Sequence, residues 1–289
     1  MITGFLASWE LFQNAYLAGW LMGFLLALIG VLVVARDQIF IGVAVSQAST
    51  LGIAVGLVLG SLLGQDESSW LRAEGFLSCM AVIFAVIAAL LTAGGGRVGD
   101  ESHEAVTGWV FLVSASLAIL LVSRSPHGLD EIHRLLSSSI IGATATEVWT
   151  FGSLAVCTAL TLGIVQKRVL LVTVDPAMAA AVGMRVSLWA GGMAIWLGLV
   201  IGLSMRVSGM LYTFGNLVLP ALIAKNLCQE LRTVFVVAPS IAVGMGVIGF
   251  VLANHYDYPP AQMTVALLGF ILILAWGYRC YHARDSGRA

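Results

Sequence analysis

The sequence is poor in charge. Only 10% of its 289 residues are Asp, Glu, Lys or Arg, against about 25% in soluble domains, which argues against a water-soluble globule. Concentrated positive charge is missing as well. The formal net charge is -1, and no run or stripe of Lys and Arg is present to neutralise a phosphate backbone, so nucleic acid is not a partner. Cys79, Cys157, Cys228 and Cys280 lie far apart without CxxC spacing, which suggests neither a disulfide framework nor a zinc knuckle. They are expected to be buried small apolar residues. The glycine run AGGGRVG lacks the GK[ST] ending of a phosphate loop, so no nucleotide or other cofactor is expected on this chain itself. Ser137, Ser138 and Ser139 have only His133 near them in sequence, and no nucleophile and base pairing points to an enzyme.

What the sequence has is apolar length. Sixty per cent of it is hydrophobic and its mean hydropathy is +0.98. A hydrocarbon core of about 30 Å needs about 20 apolar residues of helix, with every backbone polar group satisfied inside the segment. Cutting the chain by length and by charged punctuation predicts an all-α polytopic membrane protein. The candidate spans are 11–34, 39–63, 75–93, 105–123, 145–165, 186–205, 209–224, 233–253 and 263–281, eight or nine in all. Residues 1–10 carry no Lys or Arg, so the first apolar run reads as an uncleaved span rather than a signal peptide. No linker composition divides the chain, and one membrane domain with a flexible tail over about 282–289 is expected. Its 32 glycines, many inside spans, suit closely packed helices.

Cationic loops are held on the cytoplasmic side of a membrane. With nine spans and the C-terminus inside, Arg36, Arg97, Lys167, Arg168, Arg185, Lys225, Arg232, Arg279, Arg284 and Arg288 are cytoplasmic. Only Arg72, Arg124, Arg134 and Arg206 of the 14 then fall outside. The charge bias therefore favours the N-terminus outside and the C-terminus in the cytoplasm. Two stretches stand apart from the spans. RSPHGLDEIHRLLSSSIIGAT, 124–144, reads as a short helix at or dipping into the outer face. QKRVLLVTVDPAMAAAVG, 166–183, changes from a β-branched, strand-like run to a helix with Pro176 at its first position and Asp175 as its N-cap.

Four stretches, in order over nearly the whole chain, resemble the permease family of bacterial zinc/manganese ABC importers. They are GVAVSQASTLGIAVG at 42–56, TVDPAMAAAVGMRV at 173–186, RVSGMLYTFGNLVLPALIAKN at 206–226 and NHYDYPPAQMTVALLGFILIL at 254–274. The resemblance implies a bundle like that of type II ABC importers in a bacterial cytoplasmic membrane. It also implies a divalent metal ion such as zinc or manganese as substrate, an ABC ATPase subunit that hydrolyses the ATP, and an extracellular or periplasmic solute-binding protein. A second permease, identical or related, completes the complex. The chain departs from the family where an Asp and, four residues later, a His are expected in the second span. Val43 and Gln47 stand there. A neutral amide is a weak substitute for imidazole or carboxylate, so either a related permease supplies the ligands or the substrate differs.

The spans are almost free of ionisable side chains away from their ends, and any path through them relies on neutral groups. Gln47 with Ser46, Ser49 and Thr50 is the best intramembrane polar cluster, followed by Asn216; each reads either as path lining or as hydrogen bonding between packed helices. The segment ALIAKNLCQELRTV after Pro220 reads as a short cytoplasmic helix, by resemblance the coupling helix. Its Lys225, Gln229, Glu230 and Arg232 would then contact the ATPase, although the same charges also suit membrane anchoring. His127, Asp130, Glu131 and His133, with His255 and Asp257 further on, are candidates for outer docking or metal entry. Two other functions stay open: a permease for an iron chelate or cobalamin, which needs room rather than metal ligands, and a secondary transporter. The latter usually carries a midplane carboxylate or a broken-helix ion site.

Overall fold

The computed structural model describes residues 2–63, 74–94, 102–123 and 140–286. Among them the regular structure is helical: α1 (Ile2–Ala35), α2 (Ile41–Leu63), α3 (Glu74–Gly94), α4 (His103–Val122), a 3-10 turn (Ile140–Gly142), α5 (Ala145–Val174), α6 (Pro176–Ala181), α7 (Val186–Leu227), α8 (Leu231–Tyr256) and α9 (Pro260–Ser286). Eight of the described helices, all but α6 and the 3-10 turn, are long and apolar enough to cross a membrane. Large apolar side chains such as Trp149, Ile164, Leu120 and Ile273 are exposed along them, as lipid-facing positions require.

The polypeptide packs as two compact units, one made of residues 1–34, 139–164 and 211–289, the other of 35–138 and 165–210. In the first, α1 meets α7 and α8. A side chain at Gly30 would overlap the Leu217 carbonyl, so only glycine lets the two backbones touch there. An aromatic layer of Tyr16, Trp20, Tyr212 and Phe250 fills the space beside it, with ring centroids 5.8 to 6.4 Å apart. In the second, α2 packs on α3 and α4, and α7 approaches α3 so closely that a Cβ at Gly198 would lie 2.6 Å from Val86 Cα.

Several expectations change. The sixth and seventh spans, expected over 186–205 and 209–224, follow one another without a loop as two helices of a 42-residue run that breaks at Gly209 (φ 75°, ψ 175°), a conformation that only glycine adopts without strain. The run 166–174 is not strand-like but the end of α5. Its Val169, Val172 and Thr173 are buried at helical spacing, and Thr173 Oγ1 bonds back to the Val169 carbonyl at 2.7 Å. The tail is helical through Ser286, because α9 runs on past its apolar stretch. Cys79, Cys157 and Cys280 are exposed and Cys228 partly so; a thiol is apolar enough to face lipid. Asp175 does cap α6, its Oδ1 accepting from Met178 N at 2.8 Å, with Pro176 in the first turn.

Candidate functional site

The polar residues expected along a path are placed mostly by their own helices. Ser46 Oγ donates to the Gly42 carbonyl at 2.8 Å and Thr50 Oγ1 to the Ser46 carbonyl at 3.2 Å; both are buried. This back-bonding satisfies the hydroxyls inside α2 and supports packing over path lining for these two. Ser49 Oγ is enclosed with no hydrogen-bond partner in the described structure, as is Ser204 Oγ on α7. Gln47 differs. It is half-buried, and its amide nitrogen lies 3.1 Å from the sulfur of Met210, the residue after the Gly209 break.

In the other unit Asn216 is fully enclosed. Its Nδ2 donates to the Tyr212 carbonyl at 3.1 Å, while its Oδ1 has no partner in the described structure. Gly23 leaves room for it, since a Cβ there would stand 3.3 Å from that oxygen. Tyr212, which sequence reasoning missed, is buried, and its hydroxyl donates to the Gly19 carbonyl at 2.8 Å. Its signal was present as a hydroxyl in an apolar stretch, one turn before Asn216.

At one end of this unit a cavity of about 100 Å³ is lined by Phe12 and Tyr16 of α1, Ile140 before α5, Asn254 and Asp257 at the end of α8, and Pro260 at the start of α9, among others. Asp257 is exposed in the left-handed region (φ 56°) as the C-cap of α8, and His255 is exposed two residues back, its ring 4.8 Å from that of Tyr256. Among the described residues no group of three or more His, Cys, Asp and Glu is placed to hold a metal. His127, Asp130, Glu131 and His133 lie outside the described residues.

The expected coupling helix after Pro220 does not form as a separate element. Residues 221–227 are the last turns of α7, Cys228 to Glu230 make a short break, and α8 starts at Leu231. The helix carries on because Pro220 leaves residues 221–227 free to bond one another, and Asn226 Nδ2 ties back to the Leu222 carbonyl at 2.8 Å. Lys225, Gln229, Glu230 and Arg232 are all exposed around the break. The free-standing short helix is instead α6, where every residue of 174–183 except Ala179 is exposed. Arg36, just past α1, is half-buried with Nη2 3.7 Å from Met193 Sδ, and burial lowers its pKa from the ordinary value.

Known proteins are similar to this chain in sequence or in fold. The manganese import system permease protein ScaB of Streptococcus gordonii is 22% identical over 94% of this chain and 92% of its own. The chelated iron transport system membrane protein YfeD of Yersinia pestis is 24% identical over 94% and 87%. The structure of PsaBC from Streptococcus pneumoniae in complex with Fab superposes with a TM-score of 0.78 at 20% identity, covering 96% of this chain and 95% of that one. The ABC 3 transport family matches residues 8–279, nearly the whole length, and this polytopic helical chain belongs to that family.

Proposed function

We propose that this chain is the membrane-spanning permease subunit of an ABC importer for a divalent transition-metal ion, with ATP hydrolysed by a separate subunit. The observation that carries the reading is the family match over residues 8–279 of a chain with eight membrane-length helices. Relatives named for manganese import support the metal, and one named for chelated iron keeps iron among the candidates.

The topology supports the sidedness. The cavity residues place the starts of α1, α5 and α9 at one end of their unit, where α8 finishes. A chain that leaves that end along α5 and returns along α8 needs an even number of crossings between them. The break at Gly209 supplies two, 186–208 and 210–227. Nine crossings result, with the termini on opposite sides, and the positive-inside bias puts the C-terminus in the cytoplasm. Lys167, Arg168, Arg185, Lys225 and Arg232 then share the cytoplasmic side with α6.

On this reading α6 is the principal ATPase contact: a capped, exposed helix that presents Met178 and Val182 to a partner, both exposed by more than half. Lys225, Gln229, Glu230 and Arg232 supply further polar groups for the ATPase. The end that holds His255, Asp257 and the cavity faces outward and receives a solute-binding protein. Nucleotide binding by the ATPase shifts the permease between two openings, as any transporter needs a difference in free energy between its states. Because Val43 and Gln47 leave the path without a carboxylate or imidazole, a second, related permease carrying such ligands is the fitting partner. Co-purification tests this. The tagged chain, isolated in mild detergent from cells expressing its neighbouring genes, brings down an ATPase and a second permease; recovery without any ATPase contradicts the reading.

A further inference from the structure

We infer that the Arg36 guanidinium, beside Met193, is a binding site for the phosphate of an anionic phospholipid in the cytoplasmic leaflet. The inference takes its leaflet from the sidedness proposed above and needs nothing of the metal reading. Among the described cytoplasmic cations, Lys167, Arg168, Arg185, Lys225, Arg232 and Arg279 are exposed. Arg36 alone of them is half-buried. Its polar contact among the described residues is Nη2 to the Met193 sulfur at 3.7 Å, and a thioether is a weak acceptor for a group with five N–H donors. Burial lowers its pKa, and no ion pair among the described residues offsets that. A cation taken partly out of water without a counter-ion is costly, so the position calls for an anion from outside the chain.

Its place in the fold selects a lipid. Arg36 opens the turn between α1 and α2, directly after Ala35. Met193 lies seven residues along α7 from Val186, about 10 Å into the crossing at about 1.5 Å per residue. The headgroup layer is about 5 to 8 Å thick on each side of the hydrocarbon. The guanidinium therefore sits where a lipid phosphate and its glycerol lie, a depth that a water-soluble ATPase does not reach. Beside Met193, α7 exposes Leu188, Gly192 and Ile195 at helical spacing, a surface for acyl chains, and Phe40 is exposed four residues after Arg36. The planar fork of an arginine matches two phosphate oxygens at once. Basic pockets between helices on the cytoplasmic side are where anionic headgroups bind.

The experiment is a lipid titration of the delipidated complex in detergent, read by native mass spectrometry for bound lipid and by the midpoint of thermal unfolding. Phosphatidylglycerol is the anionic probe, phosphatidylcholine the lipid without net charge and inorganic phosphate the free anion. Phosphatidylglycerol is expected to be retained in preference to phosphatidylcholine and to raise the midpoint, while inorganic phosphate leaves the midpoint unchanged. Arg36→Gln weakens that retention about fivefold, the scale of one basic residue at an anionic membrane. Arg36→Lys keeps part of it, since an ammonium still meets a phosphate without the fork. Arg168→Gln makes the same charge change at an exposed position and retains lipid as the wild type does. Equal loss in Arg168→Gln and Arg36→Gln shows general attraction to a basic surface and overturns the inference. So does equal retention of the two lipids by the wild type, a reading that needs no variant to fold. A midpoint raised as much by inorganic phosphate overturns it in favour of a free anion. A midpoint that phosphatidylglycerol leaves unmoved once the second permease is present overturns it in favour of a counter-ion from that subunit. The import reading fails separately, through absence of ATP-driven uptake by the wild-type complex, so the two failures are told apart.

Discussion

The Tyr212 hydroxyl donates to the carbonyl of Gly19 at 2.8 Å, tying α7 to α1 in a fully buried setting. One turn further along α7, Asn216 sits over Gly23, so Tyr212 and Asn216 both meet α1 at glycines. That arrangement joins side-chain polarity and backbone approach in one seam, and it is open to direct test.

Tyr212→Phe keeps the ring in the aromatic layer and deletes only the donor. The Gly19 carbonyl retains its place in the α1 ladder, so the expected loss is that of one net hydrogen bond, about 1 kcal/mol. The midpoint of thermal unfolding in detergent should fall by a few degrees; an unchanged midpoint contradicts the role given to this bond.

Gly30→Ala and Gly163→Ala form a matched pair. At Gly30 the new methyl would overlap the Leu217 carbonyl, and backbone cannot yield as a side chain does; at Gly163 nothing lies within 4 Å. Overpacking costs about 1 to 3 kcal/mol or more, so the first variant should accumulate poorly. The second should equal wild type or slightly exceed it, as alanine favours helix. Similar yields of the two would argue against the α1 and α7 contact.

Asp175→Ala removes the N-cap of α6, at a cost of about 1 kcal/mol. Since α6 is proposed to bear on the ATPase, coupled ATP hydrolysis should drop with little change in the amount of permease, and Asp175→Asn should restore it. Equal loss in both variants points to charge rather than capping.

Gln47→His places a titratable group where the wild type has none. An imidazole with a pKa near about 6.5 is neutral above that value and cationic below it. The variant should therefore carry a cation well at pH 8 and lose uptake as the pH falls through that range, when the charged ring repels the ion. Wild type and variant responding alike to pH would remove Gln47 from the path.

Much of the fold was legible because membrane helices announce themselves by length. The boundaries of α2, α3 and α4 fall within a few residues of the spans read from hydropathy, since charge stops each one. Asp175 with Pro176 could be read as a helix start because capping is a local matter between a side chain and a nearby N–H. The run 166–174 could not, for its β-branched residues carry strand propensity that packing of Val169 and Val172 overrides. The continuity of α7 through Pro220 was hidden because a proline inside a helix reads as a stop, although it removes only its own N–H from the ladder. Tyr212 and Met210 were invisible as partners because their contacts, to Gly19 and to Gln47, join residues more than 160 positions apart. Spacing along one helix says nothing about such pairs.

The most direct test of the central claim is uptake in proteoliposomes. The complex of this chain with its ATPase and second permease is reconstituted, binding protein loaded with radioactive manganese is supplied outside, and ATP is enclosed on the ATPase side. The account predicts manganese accumulation that requires ATP and stops when this chain is omitted. Accumulation driven by a proton or sodium gradient without ATP, or none with ATP and every partner present, would contradict it.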